Sequence, residues 1–175
     1  LYTVDLSTGE AAPVGVLPYG DQVVGAYIPA PEAADGAPSA PENLSATFEN
    51  GSLSGSVSFD MPAETYDGNP LAGEVTYKIS GNGAVLATGA ATAGTHVSCP
   101  VEVPASAMYI LEVTLSNSVG DSPVSDITVY IGKDSPLAVN NLTVVREGDV
   151  NTVSWNTPSG TKNGGYMNKA DLRYK

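Results

Sequence analysis

Residues 109–125 read Tyr109-Ile110-Leu111-Glu112-Val113-Thr114-Leu115-Ser116-Asn117-Ser118-Val119-Gly120-Asp121-Ser122-Pro123-Val124-Ser125. Tyr109, Leu111, Val113 and Leu115 recur at every second position, and the run then breaks into Asn, Ser and Gly. Strand side chains point alternately to two faces, so this spacing predicts a strand with those four residues in a core, ending in a turn. Working outward, the same alternation predicts further strands with inward sets Leu44, Ala46, Phe48; Val57, Phe59, Met61; Val75, Tyr77, Ile79; Val97, Cys99, Val101, Val103; and Ile127, Val129, Ile131. Ala84 to Thr88 reads as a short edge strand. Short strands separated by frequent turn signals form a two-sheet sandwich, and no segment shows a sustained helical period, so the chain is read as all-β. A one-residue slip would turn every inward side chain into water, so the pattern also sets the register.

Composition narrows the function. The chain has 175 residues, seven Lys+Arg against nineteen Asp+Glu, and a formal net charge of −12, which sets its surface against a nucleic acid backbone. No apolar run reaches the roughly eighteen residues that a membrane-spanning helix needs. A single Cys excludes an internal disulfide framework, and a single His excludes designs built on two histidines.

The acids are unevenly placed. Residues 1–132 carry fifteen acids and one base, Lys78, whereas residues 133–175 carry four acids and six bases. That step coincides with Gly132-Lys133-Asp134-Ser135-Pro136, read as a linker over 133–136. A second linker is read over 30–41, within the Ala-rich run from Pro29 to Pro41 whose four prolines leave no periodic apolar face. The expected organisation is therefore a small β piece over 1–29, the 30–41 linker, a sandwich over 42–132, the 133–136 linker, and the beginning of a second sandwich over 137–175. Within 1–29, Leu1–Leu6 and Ala11–Leu17 read as a hairpin turning at Gly9, and Val23–Ile28 as a further strand.

The spacing Tyr109-x-Leu111-x-Val113-x-Leu115-x-Asn117-x-x-Gly120 resembles the F strand and F–G turn of fibronectin type III domains. The upstream strands fall where that family has A, B, C, C′ and E, and the resemblance covers about residues 38–132. It implies that Tyr109 is a corner tyrosine, its ring in the core and its hydroxyl bonded to nearby backbone, and that Gly120 allows a tight turn. Phe59 stands where the family commonly has a B-strand Trp. Asn141-Leu142-Thr143-Val144-Val145 and Thr152-Val153-Ser154-Trp155-Asn156-Thr157-Pro158 look like the A and B strands of a second module, with Trp155 at the family's core Trp and Asp171–Lys175 at the start of its C strand. The leading residues, Leu1-Tyr2-x-Val4-Asp5-x-x-Thr8-Gly9-Glu10 followed by Pro13-Val14-Gly15, are similar to a repeat of β-propellers in secreted bacterial proteins. Together these pieces resemble modular adhesin-type surface proteins of Gram-negative bacteria. That resemblance implies export to the extracellular space or cell surface.

Candidate chemistry is sparse. His96 is offset from the inward set and faces water or the sheet edge, with Glu102 the nearest candidate partner on its face. Cys99 alternates inward and reads as core. Asp60, Glu64 and Asp67 bracket the B–C loop, and Asp121 and Asp126 the F–G turn, without the spacing of a calcium loop. Gly81-Asn82-Gly83 and Asn163-Gly164-Gly165 read as hairpin tips. Asn43, Asn50 and Asn141 head Asn-x-Ser/Thr triplets that read as chance matches to the glycosylation pattern. Tyr66, Tyr130 and Tyr166 are scattered rather than grouped as a glycan platform. No residue is assigned a catalytic, cofactor or metal role. The expected function is a non-catalytic scaffold or adhesion segment that spaces and presents neighbouring domains of a longer chain, with a protein or glycan ligand open. The rival reading is the accessory region of a secreted hydrolase.

Overall fold

The computed structural model describes residues 2–4, 11–13 and 33–174. Residues 1–32 and 33–175 form two separate compact units. In the first, β1 (Tyr2–Val4) pairs antiparallel with β2 (Ala11–Pro13), while the expected Gly9 turn and the strand over Val23–Ile28 lie outside the described residues.

In the second unit, β3 (Glu42–Thr47), β4 (Ser54–Asp60) and β7 (His96–Glu102) form a three-stranded sheet in the order β3-β4-β7. β5 (Glu74–Gly81), β6 (Ala84–Thr92), β8 (Ala107–Ser116) and β9 (Ser125–Ile131) form a four-stranded sheet in the order β6-β5-β8-β9. All pairings are antiparallel. Labelled A to G, these strands give A-B-E facing C′-C-F-G, so the domain is an immunoglobulin-like sandwich with the fibronectin type III strand order.

Alternation decides the core as expected. Val57, Phe59, Ile79, Leu111, Val113, Leu115 and Ile131 are fully buried, and Leu44, Ala46, Phe48, Tyr77, Ile127 and Val129 pack around them. The Phe59 ring meets Tyr77 edge-on at 5.5 Å, a favoured aromatic geometry. Tyr109 is buried and its hydroxyl donates to the Ala105 carbonyl at 3.0 Å, the corner that the resemblance implied.

Three expectations change. The edge strand β6 runs nine residues to Thr92 rather than stopping at Thr88, because it pairs with β5 along that whole length. The F–G turn is tight at Gly120, whose carbonyl accepts from the Asn117 amide at 3.1 Å, but without a left-handed φ there; Asn117 closes it, its side-chain oxygen accepting from the amides of Val119 and Gly120. The described part of the 30–41 stretch is not a free linker. Ala37, Pro38 and Pro41 are buried, and Asn117 donates to the Gly36 carbonyl at 2.8 Å. Prolines cannot donate to a sheet, but their rings can be buried and their carbonyls can still accept, as Pro41 does from Ser125 at 2.6 Å.

Beyond the sandwich, β10 (Asn140–Glu147) pairs antiparallel with β11 (Val150–Asn156), and a single 3-10 turn follows at Lys169–Asp171. This hairpin repeats the β3–β4 pair. Asn140↔Asn156, Thr143↔Ser154 and Val145↔Thr152 match Glu42↔Asp60, Ser45↔Ser58 and Thr47↔Ser56, with the irregularity at the same place. Asn43 and Asn141 hold that irregularity with left-handed φ of 51° and 52°. Asn50 is also left-handed, φ 53°. Asn tolerates this region better than other non-glycine residues, which accounts structurally for the three asparagines heading the glycosylation-like triplets.

Candidate functional site

The feature that organises the second unit is the joint where the chain leaves β9. Gly132 has φ 95°, a conformation that side chains rarely adopt, and it turns the chain so that the Lys133 amide donates to Ser106 Oγ at 3.1 Å. The segment 132–137 then runs against residues 160–166. Tyr166 N donates to Gly132 O (3.1 Å), Asp134 N to Tyr166 O (2.8 Å), Lys162 N to Ser135 O (2.8 Å) and Leu137 N to Gly160 O (3.0 Å). The stretch expected to be a linker is therefore held by backbone bonds on both sides, which pairs amides that the Gly and Pro signals suggested were free.

Asp134 sits at the centre. Its carboxylate accepts from Asn163 N at 2.6 Å, Asn163 Nδ2 at 2.9 Å, Gly165 N at 3.3 Å and Ser135 N at 2.7 Å. Partial removal from water pushes this carboxyl up, but the hydrogen bonds from Asn163, then Gly165 and Ser135, prevail and bring its pKa down to about 2. A carboxyl below its ordinary 3.8 stabilises the folded state above that value, and the contribution is lost as pH falls from 3.8 through about 2. Side-chain carboxyl NMR shifts are therefore expected to titrate near 2 at Asp134, and a midpoint at the ordinary value would mean that these bonds are not made in solution.

Small residues let the pieces close. A Cβ on Gly165 would lie 2.2 Å from the Tyr130 ring and 2.8 Å from Asp134 Cβ. A Cβ on Gly51, in the β3–β4 turn, would lie 2.7 Å from the Tyr166 ring. Tyr166 thus rests on the turn backbone, and Tyr130 donates from its hydroxyl to Lys133 O at 3.3 Å. These groups border an open cleft of about 330 Å³, with Phe48 and Val129 on its sandwich side. Two of the three tyrosines read as scattered are brought together here, while Tyr66 lies in the β4–β5 loop. Asn163-Gly164-Gly165 is likewise not a hairpin tip but the loop that caps Asp134; Gly81-Asn82-Gly83 is a tip, between β5 and β6.

The joint has a counterpart at the start of the sandwich. There Tyr66 N donates to Ala37 O (2.8 Å) and Ser39 N to Glu64 O (3.2 Å), and Pro38 bridges to Thr65 as Pro136 does to Thr161. Thr65 Oγ1 donates to Asn69 O (3.0 Å), as Thr161 Oγ1 does to Gly165 O (2.9 Å). The carboxylate has changed sides: Asp67, in the loop, accepts from the Gly36 amide at 3.0 Å, whereas Asp134, in the incoming chain, accepts from Asn163. The hydroxyl of Thr65, then the Gly36 amide, holds the Asp67 carboxyl below its ordinary value.

The remaining candidates are not brought together at the joint. His96 is exposed as expected, but its partner is Asp60, Nδ1 to Oδ1 2.6 Å, and not Glu102. The β4–β7 register places His96 directly opposite Asp60, and Glu102 opposite Ser54 at the far end. Bonds from His96, then Asn43, hold Asp60 below its ordinary value. Cys99 is buried in the core; burial, then the neighbouring Cys99 sulfur, pushes the Tyr77 hydroxyl up. Asp121 accepts from the Ser116 hydroxyl. What the joint's side chains can do chemically is fix position: they are hydrogen-bonding and packing groups around one carboxylate.

No protein-family model and no curated protein matches the chain. Among solved structures it is similar to a crystal structure of chicken CNTN1 FN1-FN3 domains, at 19% sequence identity and a TM-score of 0.33, over 89% of this chain and 51% of that one. The chain thus spans about half the length of that structure. The fold assignment rests on strand order and core. Among the described residues, no helix is long and apolar enough to cross a membrane.

Proposed function

We propose that the chain is a non-catalytic modular scaffold segment whose work is to hold successive β-sandwich repeats at a set angle, and that its setting is extracellular or at the cell surface. The observation that carries this reading is the clamp at Asp134. Flexible linkers leave neighbouring modules free to reorient, whereas here each module start is bonded to its own B–C loop, and the later one also seats Tyr166 on the preceding sandwich at Gly51. A repeated clamp of this kind suits spacing and presentation of whatever domains flank it. Residues 1–132, with one base against fifteen acids, favour cationic partners over anionic ones. The adhesin-type, Gram-negative surface setting belongs to the same proposal and rests on the resemblance of the leading and trailing segments.

The test is orientation. Residual dipolar couplings from 33–132 and from 137–174 are expected to fit one alignment tensor in the native chain and to need two in Asp134→Ala. Two tensors in the native chain would remove the basis for a fixed-angle scaffold.

A further inference from the structure

Three Asn-Gly pairs occur in the chain, at 50–51, 82–83 and 163–164. Asparagine before glycine is prone to a spontaneous reaction in water, in which the amide nitrogen of the following residue attacks the side-chain carbonyl carbon. Glycine has no Cβ, so it leaves that nitrogen unhindered. The reaction also needs a side chain free to swing onto the backbone, and the fold leaves that freedom to one pair.

Asn50 and Asn82 occupy the same kind of turn. Their φ values are 53° and 50°, and the glycines that follow them have 72° and 81°. Backbone conformation therefore does not separate them; side-chain anchoring does. Asn82 Nδ2 donates to Met108 O at 3.0 Å, and its Oδ1 accepts from the Ile110 amide at 2.9 Å, which ties it to β8. Asn163 Nδ2 donates to Asp134 Oδ1 at 2.9 Å, inside the clamp. Asn50 is exposed, and among the described residues its side chain makes no hydrogen bond.

We infer that Asn50 is a spontaneous modification site, converting to aspartate and isoaspartate and loosening the joint as it does so. The Gly51 nitrogen bonds to Asn50 Cγ, and its proton leaves with the side-chain amino group as ammonia, closing a succinimide ring. Water then opens the ring. Cleavage between the nitrogen and Cγ gives aspartate; cleavage between the nitrogen and the Asn50 backbone carbonyl carbon gives isoaspartate, whose main chain runs through the side-chain methylene. The sum is a water consumed, an ammonia released and a carboxylate gained, with no oxidation or reduction.

The isoaspartate product acts at the joint. It adds a methylene to the main chain of the turn that the Ser52 amide closes on Glu49 O at 2.9 Å. Tyr166 rests on this turn: a Cβ on Gly51 would lie 2.7 Å from the Tyr166 ring and 3.1 Å from Lys133 Cγ. A longer, re-aimed backbone cannot keep so close a contact. This consequence rests on the joint described above, whereas the conversion itself does not.

The test is to age the folded chain in mildly alkaline buffer and follow the three pairs by peptide-mapping mass spectrometry, with fragmentation that tells isoaspartate from aspartate. Conversion at Asn50 is expected to run at least about tenfold faster than at Asn82 or Asn163, the factor that freedom from anchoring hydrogen bonds supplies. In urea the three rates are expected to converge. In the aged chain the Tyr166 and Asp134 amides, bonded to Gly132 O and Tyr166 O, are expected to lose exchange protection. Asn50→Gly has no side-chain carbonyl to attack and accepts the left-handed φ, so it is expected to keep that protection through the same ageing. Equal rates at Asn50 and Asn82 in the folded chain would overturn the site, and fast conversion with undiminished protection at Tyr166 would overturn its effect on the joint. Failure of the fixed-angle reading is a separate result, read from the dipolar couplings of the chain before ageing.

Discussion

Phe59→Ala is expected to destabilise the sandwich by about 3–5 kcal/mol, the range for removing a fully buried aromatic side chain from a packed core. Phe59 is 0% exposed, lies on the central strand of its sheet and meets Tyr77 across the core at 5.5 Å, so its loss removes a large buried surface and one aromatic contact together. Such an aromatic contact contributes about 0.5–1.5 kcal/mol beyond burial. No neighbour can collapse into the space without moving the facing sheet, because Val57, Ile79 and Leu111 are themselves fully buried. At about 4–8 °C per kcal/mol for a domain of this size, calorimetry should record a fall in Tm of roughly 15–30 °C. A fall of a few degrees would mean that the core is not centred on this ring.

The second large effect is expected at the joint. Gly132→Val asks a β-branched residue to adopt φ 95°, and its Cβ would lie 2.2 Å from Ser106 Oγ and 2.9 Å from Ser106 Cα. The hydroxyl could rotate away, though it would then leave the Lys133 amide; the backbone carbon cannot. Backbone strain of about 1–3 kcal/mol and overpacking of about 1–3 kcal/mol act together, so a loss of about 3–5 kcal/mol is expected. Amide exchange should separate the local from the global part: the Asp134 and Tyr166 amides, bonded to Tyr166 O and Gly132 O, should lose protection first. Gly164→Ala is the comparison, because its φ is 84° but nothing lies within 4 Å of the added carbon. It should cost only the backbone strain. Equal effects at the two glycines would show that the close approach to Ser106 does not matter.

The sandwich was legible because its information is local. Burying every second residue from Tyr109 to Leu115 requires only the chain's own two-residue period, and the same holds for the strands around Phe59, Ile79 and Val97. The second repeat was legible in the same way, through Trp155 and the pattern around Leu142. The edge strand was misjudged in length because Ala, Gly and Thr give β6 no strong alternation to read, and its extent is set by the partner β5.

The joint was not legible, and the reason is distance along the chain. Asp134 and Asn163 are ordinary polar residues separately; they become a site only because a strand pair lies between them and returns the chain to its starting point. The sign of Gly132-Lys133-Asp134-Ser135-Pro136 was misread for the same cause, since residues that break regular structure also build tight junctions, and only the partners 23 to 34 positions on distinguish the two. His96 found Asp60 rather than Glu102 because register, not proximity in sequence, chooses cross-strand neighbours.

By itself, then, the order of residues determined which side of each ribbon is oily, hence that the chain forms paired β layers and roughly where each begins. Tertiary structure alone decided which polar groups meet, how long an edge runs, and that the passage from one repeat to the next is bonded rather than loose. Side-chain alternation is a property of a single strand, while a hydrogen bond across a junction needs two segments delivered to one place, and only the folded chain delivers them.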